Sequence, residues 1–255
     1  MTNVKKTALI TGGGSGLGRE TALLFFEEGF NVVIAGRNQG NLKETLDLAG
    51  PAAERGLAVP TDVTDAAAVK RLFAAVREKF GRLDFLFNNA GCTGIEASGR
   101  PLVDIAVEDW RKVIDTNLTG TFLCAQEAVR IMMEQNPQGG RIINNGSIAA
   151  QSPRVNAAAY TASKSGVTGL TKSISLDYRR YHIACGQIDI GNADTKQASR
   201  HGQGSLQSDG EIRKEALMSV KDVAQTLLFM ANLPLDANVQ HITILATQMP
   251  FIGRG

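Results

Sequence analysis

Short apolar runs recur along the chain, separated by longer stretches in which apolar residues return every three or four positions. The runs predict strands at Thr7–Ile10, Asn31–Ala35, Leu57–Pro60, Phe85–Phe87, Arg141–Asn144, Ile183–Ile188 and His241–Leu245. Several are apolar on both faces, as strands covered by helices on both sides must be. The longer stretches predict helices at Gly18–Glu28, Asn41–Ala49, Ala66–Lys79, Val107–Glu134, Ala157–Tyr178 and Val220–Ala231. This alternation implies parallel strands, right-handed crossovers and a doubly wound seven-stranded α/β sheet in a single domain. Residues 192–215 break the rhythm: they are polar, with Gly202, Gly204 and Gly210 among them. At the carboxyl end of a strand, such a stretch is expected to be a flexible substrate loop, with a disordered surface loop as the alternative.

The first strand runs into Thr11-Gly12-Gly13-Gly14-Ser15-Gly16-Leu17-Gly18, where a helix opens. A strand, a glycine turn and a helix N-terminus make an anion site, because backbone N–H groups and the helix dipole both favour phosphate. The spacing T-G-x-x-x-G-x-G differs from G-x-G-x-x-G, and no Lys-Ser or Lys-Thr follows to make a P-loop. Gly12, Gly14, Ser15, Gly16, Leu17 and Gly18 are therefore candidate dinucleotide contacts. The second strand ends in Ala35-Gly36-Arg37-Asn38. The acidic residue that bonds the ribose of NAD(H) is missing there, and Arg37 can pair with a 2′-phosphate. NADP(H) is favoured, with NAD(H) as the alternative.

Tyr160 and Lys164 are four residues apart in a helical stretch and so share a face. A free phenol releases its proton near pH 10, and a neighbouring ammonium lowers that value toward the working range of a general acid or base. Ser147 ends an apolar strand thirteen residues earlier. Asn88-Asn89-Ala90-Gly91 closes the fourth strand, Asp62-Val63 follows the third, and Asn117 interrupts an otherwise apolar helix. Each motif alone arises by chance.

Taken together, T-G-x-x-x-G-x-G, Asp62, N-N-A-G, Asn117, Ser147 and Tyr160-x-x-x-Lys164 resemble the short-chain dehydrogenase/reductase family over essentially the whole chain. The resemblance implies a Rossmann-type fold and hydride transfer between a nicotinamide dinucleotide and an alcohol or carbonyl. It makes Tyr160 the general acid/base, with Lys164 lowering its pKa and bonding the nicotinamide ribose. Ser147 would orient the substrate oxygen, and Asn117 would hold a water linking Lys164 to solvent. Asp62 and Val63 would bracket the adenine, and Asn89, Ala90 and Gly91 would line the cofactor groove. Ile190, Gly191, Ala193 and Thr195 would flank the nicotinamide. Relatives of this kind are commonly tetramers, so a homo-oligomer, tetramer or dimer, is expected.

Some positions depart from the family pattern. Ile190 stands where a proline is usual before Gly191, which implies a less rigid turn. Asp189 is a charge inside a buried strand and needs a partner. Met218-Ser219 replaces a proline before the last helix, and the tail Ala246–Gly255 lacks the usual glycine turn, so it can shape a pocket or a subunit contact.

Composition narrows the function classes. The net charge of +2, from 27 basic and 25 acidic residues, offers no basic patch for nucleic acid and no membrane-surface patch. No apolar stretch is long enough to span a bilayer, and Cys92, Cys124 and Cys185 lack metal or redox spacing. A cytoplasmic enzyme acting on a small-molecule alcohol or carbonyl is expected, without metal, nucleic-acid or membrane partners. Two alternatives stand beside it: a cofactor-binding scaffold without turnover, and an isomerase or dehydratase of the extended relatives. The complete set Asn117, Ser147, Tyr160 and Lys164 argues against the first, and the length of 255 residues against the second.

Overall fold

Alternation of β-branched runs with amphipathic stretches yields alternating strands and helices in the computed structural model, which describes residues 5–93, 99–195 and 204–252. In chain order the strands are β1 (Thr7–Thr11), β2 (Asn31–Gly36), β3 (Gly56–Pro60), β4 (Phe85–Asn88), β5 (Gly140–Asn145), β6 (Ile183–Ile190), β7 (Ser205–Leu206), β8 (Ile212–Arg213) and β9 (His241–Ile244). The helices are α1 (Gly16–Glu27), α2 (Gln39–Leu48), α3 (Ala66–Phe80), α4 (Val107–Ile114), α5 (Gly120–Glu134), α6 (Ala158–Tyr178) and α7 (Val220–Asn232). Seven parallel strands form one sheet in the order β3-β2-β1-β4-β5-β6-β9. The order reverses between β1 and β4, which opens a crevice at the carboxyl ends of those strands.

Local signals set the boundaries. Asn38 caps α2 by accepting from the Asn41 N–H at 3.0 Å, and Asp65 caps α3 by accepting from the Ala67 N–H at 2.8 Å. Gly81, at φ 72°, ends α3 in a left-handed turn that a side chain would strain. Ser219 caps α7, so the missing proline costs that helix nothing visible. Phe25, Phe26, Ile34, Phe85 and Leu227 fill one face of the sheet beneath α1 and α7. Leu9, Leu72, Phe73, Met132 and Ile142 fill the other beneath α3 and α5.

Two expectations need correction. The stretch Val107–Glu134 is not one regular helix: Asp115–Thr119 forms a π-type turn between α4 and α5. Asn117 is the buried residue of this turn, and turns of this kind recur at functional sites. In the stretch 192–215, Ser205–Leu206 and Ile212–Arg213 pair as an antiparallel hairpin. Its residues are too few and too polar to show period-two alternation. Residues 196–203 of that stretch lie outside the described residues.

Arg141 stands out at the amino end of β5, 1% exposed. Its guanidinium donates to Asn238 Oδ1 at 3.0 Å and to the carbonyls of Leu233 (3.2 Å), Pro234 (3.0 Å) and Ala237 (2.9 Å). It thus fixes the α7–β9 connection and, through it, the sheet edge carrying β9. Burial favours its neutral form, and four oxygen acceptors offset that cost. Arg141→Leu should leave these acceptors without their donor and cost roughly 3 kcal/mol, read as a lower midpoint in urea unfolding.

Candidate active site

The crevice at the switch point is built from the ends of β1 and β4. Gly12 and Gly16 take positive φ (68° and 51°), which glycine adopts without strain. A side chain on Gly18 would strike the Gly12 carbonyl, so the turn packs directly onto the start of α1. Ser15 precedes that helix without a side-chain cap bond, so the first N–H groups of α1 stay open to a ligand. That uncapped N-terminus, with glycine on the approach, fits a dinucleotide pyrophosphate. Leu17 is buried in the core beside Phe25, so only its backbone can serve a ligand.

Thr11 joins this turn to the end of β4. Its hydroxyl accepts from the N–H groups of Asn89 and Ala90, each at 2.9 Å, and its carbonyl accepts from Asn89 Nδ2 at 2.9 Å. Asn145 Nδ2 donates to Asn89 Oδ1 at 3.1 Å, extending the brace to β5. Arg19 is equally hidden in the sequence: its guanidinium bonds the Gly14 carbonyl at 2.7 Å and Glu44 Oε2 at 2.6 Å, stiffening the turn.

At the adenosine end, Arg37 is exposed beyond β2. Asp62 lies within electrostatic reach of it. Bonds from the Thr64 backbone and hydroxyl, and the Arg37 charge, hold the Asp62 carboxyl below its usual value against partial burial. The Val63 side chain packs on Gly120 in the core, leaving its backbone to face the groove.

Across the crevice, Thr195 lies 3.5 Å from where a Gly16 side chain would begin. Gly191 is flanked by Leu245 and Met249, so Met249 of the tail packs beside the expected nicotinamide position. Ile190 extends β6 by pairing with Ile244, and the Gly191 N–H donates to the Ile244 carbonyl at 2.8 Å. A proline at 190 would lock the backbone there; isoleucine lets the strand run to its end. Ala193 has its side chain in the core and offers only backbone.

Tyr160, Lys164 and Ser147 come together where α6 crosses the end of β5. Lys164, 5% exposed, donates from Nζ to the Asn145 carbonyl at 2.7 Å and lies 5.7 Å from the Tyr160 ring centre. Burial pushes its amine down to about 8, opposed by the nearby Asp189 and Cys92. Burial pushes the Tyr160 phenol up, while its hydrogen bond with Ser147 pulls it down, Asp189 and Cys92 raise it, and Arg154 lowers it. Ser147 also accepts from the Ala149 N–H at 3.1 Å, which fixes its rotamer.

Asn117 reaches the same region differently from expectation. Its Oδ1 accepts from the Cys92 N–H at 2.8 Å, and its Nδ2 donates to the Cys92 carbonyl at 2.9 Å and Ser163 Oγ at 3.0 Å. The amide thus faces Cys92 and Ser163, and the main-chain carbonyl of Asn117 is a separate acceptor. That carbonyl accepts from Thr121 Oγ1 at 2.7 Å and keeps a second lone pair.

One side of the pocket had no sequence signal. Glu215 accepts from Arg154 Nη1 at 2.8 Å, from Asn192 Nδ2 at 2.7 Å and from Gln207 Nε2 at 3.0 Å, with a second short bond from Arg154. These residues join the Ser147–Tyr160 connection to the β7–β8 hairpin. Burial raises the Glu215 carboxyl, but the donated bonds outweigh it and bring it to about 2. Contacts between residues so distant in sequence leave no local pattern.

Comparison with known proteins places this geometry in context. A family model described as short chain dehydrogenase matches residues 6–205. A 3beta-hydroxysteroid dehydrogenase from Mediterraneibacter gnavus is 39% identical over 196 residues, 77% of this chain and 69% of that protein. A short chain dehydrogenase/reductase from Aspergillus oryzae is 33% identical over 234 residues, 89% of this chain and 88% of its own. Among solved structures, actinorhodin polyketide ketoreductase with NADPH superposes with a TM-score of 0.83 at 28% identity, covering 94% of this chain and 96% of its own. A 3-ketoacyl-(acyl-carrier-protein) reductase from Brucella melitensis complexed with NADH gives 0.81 at 25%, covering 94% and 96%.

The Glu215 cluster has a pH signature. A carboxyl depressed in the folded state adds stability above its unfolded pKa, and that stability is lost as pH falls through the folded value. The stability gap between the wild type and Glu215→Gln should therefore be full at neutral pH. It should shrink as pH falls from 4.5 toward 2, read by chemical unfolding across that range.

Proposed function

The chain belongs to the short-chain dehydrogenase/reductase family, and we propose that it is an NADP(H)-dependent oxidoreductase acting on a small-molecule alcohol or carbonyl. The observation that carries this reading is the convergence of Tyr160, Lys164 and Ser147 beside an uncapped helix N-terminus. Gly12, Gly14, Ser15, Gly16 and Gly18, with the backbone of Leu17, would hold the pyrophosphate. Asp62 and the Val63 backbone would hold the adenine, and Asn89, Ala90 and Gly91 the groove wall. Ile190, Gly191, Ala193 and Thr195 would hold the nicotinamide end. Arg37 is exposed just past β2, in Gly36-Arg37-Asn38 where no acidic residue stands, and supports NADP(H) over NAD(H).

When bound, the reduced nicotinamide supplies a hydride to the carbonyl carbon. Tyr160 gives its phenolic proton to the substrate oxygen, and Ser147 orients that oxygen by hydrogen bonding. Lys164 would stabilise the phenolate left behind and bond the nicotinamide ribose. The Asn117 carbonyl, through a water, would return the proton from solvent. Oxidation of an alcohol runs the same transfers backward, with Tyr160 as base.

The stretch 192–215, pinned at Glu215, would serve as the substrate loop of a single domain spanning residues 1–255. Phe122 on α5 and Leu176 on α6 are exposed apolar side chains that support a homo-oligomer, tetramer or dimer. Among the described residues no helix is long and apolar enough to cross a membrane. We place the enzyme in the cytoplasm. The substrate screen starts from secondary alcohols and their ketones, hydroxysteroids included because of the bacterial relative's name.

Tyr160→Phe should lower turnover by about a hundredfold or more while NADPH still binds, since a positioned acid/base contributes that much. Retained activity overturns the assignment. NADPH should bind more tightly than NADH, measured by fluorescence titration. Arg37→Ala should weaken NADPH by about tenfold or more and leave NADH nearly unchanged, as expected for loss of a charged hydrogen bond. An NADH preference in the wild type removes the Arg37 argument.

A further inference from the structure

We propose that Asp189 is a positioning residue that holds the Tyr160–Lys164 pair in its proton-loaded state and so poises the site for carbonyl reduction. This rests on the reading of Tyr160 and Lys164 given above. Three observations carry it.

The first is location. Asp189 lies in β6, 1% exposed, with its carboxylate pressed against Gly146. A side chain on Gly146 would collide with Asp189 Oδ1 and come within 2.6 Å of Gln187 Nε2. Gly146 is the residue between Asn145, whose carbonyl anchors Lys164, and Ser147. The carboxylate occupies the side-chain space at the centre of that triplet.

The second is restraint. Oδ1 accepts from Gln187 Nε2 at 2.6 Å. Gln187 in turn donates to Thr168 Oγ1 at 3.0 Å and accepts from Thr171 Oγ1 at 3.3 Å. Thr168 and Thr171 lie one and two turns beyond Lys164 on the same face of α6. Oδ2 accepts from Gln151 Nε2 at 2.8 Å, in the connection between Ser147 and Tyr160. One buried carboxylate therefore braces both segments that carry the reacting side chains.

The third is charge. The Asp189 charge favours the ammonium on Lys164 and the neutral phenol on Tyr160. Both effects keep the proton that reduction must deliver. Among the described residues, the other titratable groups facing the pair are the Cys92 thiol, whose ionised form would act in the same sense, and Arg154, whose charge opposes it at Tyr160. On its outer side Asp189 Oδ2 meets His241 Nε2 at 2.8 Å, and His241 is 40% exposed at the start of β9. His241 gives the carboxylate its contact with the solvent-facing edge.

The test uses the full chain. Lysine side chains are isotope-labelled and titrated by NMR in cofactor-free protein, and the Lys164 signal is identified by its loss in Lys164→Arg. Asp189→Asn, or Asp189→Ser if the amide variant does not fold, should lower the Lys164 midpoint from about 8 by about one pH unit. His241→Gln keeps the carboxylate and should move it far less. The pH profile of alcohol oxidation should shift downward in the Asp189 variant, with kcat for oxidation relative to kcat for reduction, each at saturating substrate, rising several-fold at neutral pH. An unchanged Lys164 midpoint in the Asp189 variant overturns the proposal. So does an equal shift in His241→Gln, which would mark packing rather than charge as the cause. If Tyr160→Phe keeps full turnover, the reading of the site fails instead, while the Lys164 titration still decides the role of Asp189.

Discussion

The bond from Lys164 Nζ to the Asn145 carbonyl ties α6 to the carboxyl end of β5, and the rest of the site is arranged around it. A lysine amine is hard to hide from water, because burial removes the hydration that stabilises its charge. Here a strand-end carbonyl, a neighbouring aromatic ring and a buried carboxylate nearby offset that loss. The carbonyl is free for this purpose because β5 ends there and its ladder stops.

From that bond, two systems of polar contacts spread in opposite directions. Toward the glycine turn, Asn145 reaches Asn89, and Asn89 reaches Thr11 at the end of β1. Toward the sheet edge, Asp189, Gln187 and the α6 threonines connect β6 with the helix that carries Tyr160. Each side chain in these systems is short and held by a partner. A satisfied buried network of this kind fixes geometry even where its net contribution to stability is modest. The region proposed to bind cofactor and the region proposed to do chemistry therefore share one rigid frame. The Glu215 cluster closes the remaining side by joining the Ser147–Tyr160 connection to the β7–β8 hairpin.

Periodicity alone was enough to find the strands and helices of the sheet, because parallel strands buried on both faces must be apolar along their length. Glycine spacing located the ligand turn, since Gly12 and Gly16 need backbone angles that other residues take at a cost. Tyr160 and Lys164 were legible as a pair because helical spacing is local. Asn117 was visible as a polar interruption, but its π-type turn was not, since five residues are too few for a changed period to show in the apolar pattern.

By itself the sequence determined what short-range chemistry encodes: the element order, the parallel sheet, the glycine turn and the residue types able to move a proton. Tertiary structure decided the rest, because it depends on pairs far apart in the chain. Asp189 was flagged as a charge in need of a partner, but its partners Gln151 and His241 come from other elements. Arg154 and Glu215 meet only once the β5–α6 connection and the hairpin are folded over one another. The amide partners of Asn117 were likewise set in space: Cys92 follows β4 and Ser163 lies on α6, and only the folded packing brings both within reach. Electrostatic effects of this kind follow distance through space, and no spacing along the chain records it.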